Sequence, residues 1–253
     1  MAAKDFGLIE SDYSFFMAHA TEAESDVAEY ARQLAGFADG RDLIRLLDFG
    51  YGTGDFTQML LSTLNWSPEF LNLTLVEPVG HQQEEAALKL ARYSQFPIET
   101  LATLPSVQVP QFDLVFSNHV LYYVDDLGST LQQLISSLKP DGKLLLAIAG
   151  WDNPLIQIWK TGFELSGRPV PYHVSEDVEA IITAQGTRFW KSKSFYRLCF
   201  PDSVDNRLKI LRFLFGEHLR EIPLQRLLEE FDCFVYDDHI QIETDSNHFA
   251  IEV

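Results

Sequence analysis

The chain has 253 residues, 46% of them hydrophobic, and a formal net charge of −18; it can bury a sizeable core, and its acidity argues against nucleic-acid phosphate or anionic lipid as a partner. Its two cysteines, Cys199 and Cys233, lack metal-ligand spacing and suit a reducing compartment. The opening MAAKDFGLIESDYSFF has no basic-then-apolar leader, and no window approaches about 18 uninterrupted apolar residues, so the expectation is a cytoplasmic chain with no membrane span.

Residues 1 to about 40 read as helical and partly amphipathic, with Val27, Tyr30, Ala31 and Leu34 on one face and Gly36 and Gly40 after them. From residue 43 strand and helix alternate. Leu43, Ile44, Leu46 and Leu47 make a buried strand, and Phe56, Met59, Leu60 and Leu64 recur at helical spacing behind it. A second strand runs from Leu71 to Glu77, followed by a helix from Glu84 to Arg92. Phe96 to Leu101 is a short third strand and Phe112 to Ser117 a fourth. Leu127 to Leu138 is a helix, and Lys143 to Ala149 a fifth strand. This alternation predicts an α/β fold with a mostly parallel sheet covered on both faces. After Gly150 the rhythm breaks. Trp151 to Phe163, Ser175 to Ala184, Asp205 to Phe215 and Pro223 to Phe231 read as helices, while Thr187 to Phe200 is β-prone yet carries several Lys and Arg. The last segment, Asp238 to Glu243 and then His248 to Val253, reads as an antiparallel pair turning at Asp245, Ser246 and Asn247.

Between the first strand and its helix lies LLDFGYGTGDF, residues 46–56. Three glycines there mark a backbone that bends sharply or approaches something closely. The dinucleotide fingerprint G-x-G-x-x-G fails, because Asp55 stands where its third glycine belongs, and no Gly-Lys-Ser/Thr supplies a phosphate loop. What stands is Asp48-x-Gly50-x-Gly52-x-Gly54. It resembles motif I of class I S-adenosylmethionine-dependent methyltransferases, where the turn lies under the methionine part of the cofactor. Glu77, at the end of the next strand, can accept both ribose hydroxyls through charge-assisted hydrogen bonds.

The likeness narrows further. Residues 19–23 (HATEA), Val76 to Pro78, Val120 to Asp125, Trp151 to Trp159 and the last apolar strand resemble the matching segments of the histamine N-methyltransferase family. That resemblance implies a Rossmann-like class I methyltransferase fold, a seven-stranded mostly parallel sheet with a C-terminal antiparallel hairpin and an α-helical cap. Its parts would be an N-terminal helical cap (1–40), an S-adenosylmethionine-binding core (41–150), a cap or substrate insertion (151–231) and strands completing the sheet (232–253). It implies S-adenosyl-L-methionine as cofactor, S-adenosyl-L-homocysteine as product, no metal, and a small-molecule acceptor for a monomer or homodimer. Asp48, Gly50, Gly52, Gly54, Glu77 and Gln82 would bind the cofactor, with Gln82 near the adenine. Glu22 would lie beside the bound amine, and Tyr122 and Trp159 would wall the pocket. The family's glutamine before the Leu-Tyr-Tyr segment is His119 here, and its C-terminal substrate-contacting asparagine has Asp245 among several alignments. Both departures fall on substrate-contacting positions.

Methyl transfer from a sulfonium is an in-line displacement that relies on alignment and needs no metal. An amine acceptor must first lose its proton, and Glu22 and His119 are the candidate bases. Tyr122, Tyr123, Trp151 and Trp159 can attract a cation through their ring faces; core packing is their alternative use. An O-methyltransferase for a small carboxylate or hydroxyl compound is the competing reading, which His119 as a base would serve equally and which would call for Lys160, Arg168, Lys191 or Lys193 to face inward. A protein that binds the cofactor without turnover is a further reading.

Overall fold

The computed structural model describes residues 9–105 and 110–253. Its elements in chain order are α1 (Glu10–His19), α2 (Glu22–Gln33), β1 (Ile44–Phe49), α3 (Asp55–Leu64), β2 (Leu71–Val76), α4 (Gly80–Leu90), β3 (Glu99–Leu101) and β4 (Phe112–Asn118). There follow α5 (Leu127–Ser136), β5 (Leu138–Ile148), α6 (Pro154–Leu165), α7 (Ser175–Ala184), β6 (Phe189–Pro201), α8 (Val204–Phe215), α9 (Leu224–Glu229), β7 (Val235–Tyr236) and β8 (His239–Glu252). The helix expected over 1–40 is two helices broken at Ala20, which bridges to Leu198; residues 1–8 of that expectation lie outside the described residues.

The sheet order is β3-β2-β1-β4-β5-β8-β6, with the short β7 pairing to β8. β1 to β5 are parallel, whereas β8 is antiparallel to both β5 and β6. The central parallel strands β1, β2 and β4 are mostly apolar, broken only by single polar residues such as Arg45, Thr74 and Asp113, because both faces are covered. Tyr30, Leu60, Ala86 and Leu90 pack on one face against Leu46, Leu114 and Phe116. On the other, Leu131, Leu134, Ile156 and Ile182 meet Leu47, Val115, Leu144 and Leu146. Chain order reverses between β1 and β4, and open α/β sheets bind ligands outside the strand ends at such a switch point.

The C-terminal strands differ in detail from the sequence reading. Asp245, Ser246 and Asn247 do not turn; they lie inside one continuous 14-residue strand, β8. Its partner is β6, in register from Phe189↔Ile251 to Pro201↔His239, so the range 151–231 contributes an edge strand as well as helices. The turn-like composition misleads because Asp245 and Ser246 find tertiary partners in Lys193 and His119. Lys191, Lys193 and Arg197 on β6 are the charges that suit an edge. Within β8 only Asn247 to Glu252 pair with β5, so the rest of β8 runs on with β6 beyond β5 as a ribbon, joined by β7 at its far end. α1 and α8 pack together beside it, with Phe16 stacked on Phe213 at 4.5 Å and Arg212 paired to Asp12 at 3.0 Å.

Candidate functional site

The three glycines have three different uses. Gly50 has φ +79°, and a Cβ there would lie 2.4 Å from both Val120 methyls; only glycine lets the β1 turn touch the turn after β4. Gly52, φ +55°, faces open space within 4 Å, and Gly54, φ +80°, sits where a Cβ would meet Ala86 of α4 at 3.0 Å. Of the three, Gly52 leaves a cradle for a ligand, while its neighbours pack the loop in place.

Glu77 closes one side of that cradle. It is 8% exposed, its Oε2 accepts from the Gly52 N–H at 3.2 Å and its Oε1 from the Val79 N–H at 3.1 Å. Burial pushes its carboxyl up, against the pull of those two N–H groups. Asp48, 2% exposed, accepts from the Thr57 hydroxyl, and burial, with Glu77 nearby, lifts its carboxyl to about 7. Gln82 stands in the first turn of α4, its N–H on the Val79 carbonyl; Gln83, not singled out from sequence, donates to the Glu77 carbonyl. Asp48, the glycines, Glu77 and Gln82 therefore gather at the carboxyl ends of β1 and β2.

Across Gly50 from the cradle lies a buried polar cluster. His119 follows β4 with φ +57°, an uncommon backbone for a residue with a Cβ and one that concentrates at functional sites. Its Nε2 is 2.8 Å from Asp26 Oδ2 and 3.7 Å from Glu22 Oε1, and its Nδ1 is 3.0 Å from the Tyr122 hydroxyl. That hydroxyl also accepts from the Ala149 N–H at 2.7 Å. Asp26, wholly buried, receives on Oδ1 the Ser194 hydroxyl at 2.5 Å and His248 Nε2 at 2.9 Å. Burial pushes the Glu22 carboxyl up, with His119 opposing, and the Tyr196 hydroxyl donates to it. Burial opposes charge on His119, yet Glu22 and Asp26 raise its imidazole to about 9.

The aromatic residues form a chain beside this cluster. Tyr122 meets Trp159 edge-on at 5.4 Å and Tyr123 at 5.6 Å; Tyr172 closes on Trp159 at 4.7 Å and Tyr123 at 5.3 Å. Trp159 is held by its Nε1–H on the Leu214 carbonyl at 2.8 Å. Asp245 stands apart. Its carboxylate pairs with Lys193 at 2.9 Å, and strand alternation turns it away from the face on which Ser194, Ser246 and His248 meet Asp26 and His119. In the ligand-free protein the Asp245 carboxylate is thus engaged with Lys193 and lies apart from the Asp26–His119 cluster. Of the cap cations, Arg168 pairs with Glu221, Lys191 with Glu179 and Lys193 with Asp152, and Lys160 is exposed. Glu22, His119, Tyr122 and Trp159 do come together.

Sequence reasoning missed Asp26, Ser194, Tyr196, Ser246, His248 and Tyr172. One signal was available: Asp26 interrupts the apolar stripe of Ala23, Val27, Tyr30 and Leu34 and lies four residues after Glu22, on the same helix face. Among the described residues no group of His, Cys, Asp and Glu is arranged to hold a metal ion, and no helix is long and apolar enough to cross a membrane.

A family model described as a methyltransferase domain matches residues 19–198. Histamine N-methyltransferase B of Xenopus laevis is 23% identical over 206 residues, 72% of this chain and 69% of its own. Among solved structures, the YcgJ protein of Bacillus subtilis superposes with a TM-score of 0.59 at 16% identity, covering 89% of this chain and 98% of that one. The Haemonchus contortus phosphoethanolamine N-methyltransferase 2 in complex with S-adenosyl-L-methionine gives 0.53 at 16%, covering 88% and 52%.

Proposed function

The chain belongs to the methyltransferase family and is a class I S-adenosylmethionine-dependent methyltransferase, and from that premise we propose that it methylates the nitrogen of a small amine held against Glu22. The glycine turn suits the cofactor. Gly52 leaves open space, and two buried carboxylates, Asp48 and Glu77, flank a group that carries both an ammonium and a sulfonium. In this reading Glu77 takes the ribose hydroxyls, Gly50 and Gly54 shape the turn, and Gln82 lies toward the adenine. When bound, S-adenosylmethionine supplies an electrophilic methyl, and the acceptor needs a lone pair in line with it.

The observation that carries the amine assignment is the charge of the acceptor side. Two carboxylates, the half-buried Glu22 and the wholly buried Asp26, face one imidazole, whereas the paired cap cations sit with partners of their own. An ammonium is neutralised there; a carboxylate acceptor would meet like charge. Tyr122, Tyr123, Trp159 and Tyr172 add ring faces for the cation. Glu22, its carboxyl pushed up by burial, takes the ammonium proton onto its oxygen and leaves a neutral nitrogen, while the Tyr196 hydroxyl holds the carboxylate in place.

A pooled screen of biogenic amines, amino acids and small acids, with mass detection of a gain of about 14 daltons, tests this. Methylated amines are expected. Products confined to hydroxyl or carboxylate oxygens would overturn it, as would binding of the cofactor without turnover of any amine in the pool.

A further inference from the structure

We propose that Asp26 is a positioning residue that keeps His119 as a fixed imidazolium, so that His119 is not the base and the pocket retains one net negative charge at Glu22. Both Asp26 oxygens are occupied by donors: His119 Nε2 on Oδ2, and the Ser194 hydroxyl and His248 Nε2 on Oδ1. Three donors on one wholly buried carboxyl describe the ionised form. A buried carboxylate needs a compensating cation.

Four elements place polar groups around it. α2 supplies Glu22 and Asp26, β6 Ser194 and Tyr196, β8 Ser246 and His248, and the turn after β4 supplies His119 and Tyr122, with Tyr123 beyond it. No Lys or Arg is paired with Glu22 or Asp26 among the described residues, so the cation is one of the two imidazoles. Their second nitrogens decide between them. His248 Nδ1 is buried with no partner, and a proton there would be stranded. His119 Nδ1 has the Tyr122 oxygen at 3.0 Å and can donate.

His119 thus donates from both nitrogens and has no lone pair for a substrate proton. The Tyr122 oxygen accepts from it and from the Ala149 N–H, which fixes that ring at the pocket wall. The proton of an amine then has Glu22 as its acceptor. This last step rests on the amine reading; the charge state of His119 does not and is measurable without any acceptor.

The test is a titration of the full chain with ¹⁵N-labelled histidine, with His119 assigned by His119→Gln and His248 by His248→Gln. In the wild-type protein both His119 nitrogens are expected to show protonated shifts up to about pH 9. Asp26→Asn should lower that midpoint by about two units or more, and Asp26→Glu should restore part of it. With an accepted amine, the acidic limb of kcat/KM should move upward in Asp26→Asn, because Glu22 loses its cationic neighbour; a merely structural role would lower the rate without moving the limb. A wild-type His119 that is neutral at pH 7, or a midpoint unmoved in Asp26→Asn, overturns the proposal. If Asp26→Asn does not fold, the wild-type spectrum alone decides. Failure of every amine in the screen would instead sink the substrate assignment.

Discussion

Asp48 offers a test in which stability and ligand binding move in opposite directions. Its carboxyl is 2% exposed and is raised by burial, with Glu77 adding to the effect, from an ordinary 3.8 to about 7. The sign follows from linkage. A carboxyl that holds its proton more tightly in the folded state stabilises the fold at acid pH, and this contribution disappears as pH climbs from about 4 to above 7. The size is about 4 kcal/mol between the two extremes. Asp48→Asn keeps an oxygen to accept the Thr57 hydroxyl and carries no charge to desolvate. After imperfect repacking it should still gain about 1–3 kcal/mol at pH 8, or about 2–12 °C in Tm for a chain of this size, and almost nothing at pH 5. Thermal unfolding of the ligand-free protein at the two pH values reads this directly. Titration with S-adenosylmethionine should show the reverse, an affinity about 10-fold or more lower, since the cationic ligand loses a counter-charge. Equal destabilisation at both pH values would refute the reasoning, because the carboxylate would then be contributing contacts and carrying no desolvation cost.

Glu22→Gln should lower turnover of an accepted amine by about 10²–10⁴, the range for one acid–base group; a change below about threefold would remove Glu22 from the chemistry. Gly50→Ala forces a Cβ to 2.4 Å from the Val120 methyls at φ +79° and should cost about 2–4 kcal/mol in urea unfolding, with Val120→Ala recovering part of it; a cost under about 1 kcal/mol would mean the two turns separate freely. His119, raised to about 9 by its carboxylate neighbours despite burial, stabilises the fold fully below its unfolded value near 6.5 and loses that contribution as pH rises through about 9. Melting temperature should accordingly decline across that window in the wild type and stay flatter in His119→Gln.

The cradle was readable in the sequence because local rules govern it. An apolar strand, alternating glycines and a carboxylate at the next strand end are each short-range signals, and parallel α/β order brings them to the carboxyl ends of adjacent strands without further information. The acceptor side was only half readable. Glu22, His119, Tyr122 and Trp159 came from a likeness to short family segments, whereas Asp26, Ser194 and His248 come together only when α2 packs across β6 and β8. The turn expected at Asp245 failed for the same reason. Its turn-like neighbours and its charge suggested an exposed corner, but pairing along the whole of β6 kept the strand straight and Lys193 took the carboxylate. Composition reports local preference, and these positions are decided by partners far along the chain.

Asp26 and His248 share a hydrogen bond across 222 positions of sequence. The glycine turn and Glu77 span far less chain and are synthesised early, so the cofactor cradle can take shape while the acceptor cluster still lacks its last strand. Until β8 docks, Asp26 lacks His248 as a partner and β6 has no strand beside it. A chain in which β8 has not yet docked would therefore expose both a charged interior and an open strand edge. Variants that slow its docking should fail in the cell by aggregation, even where the mature enzyme would have been stable.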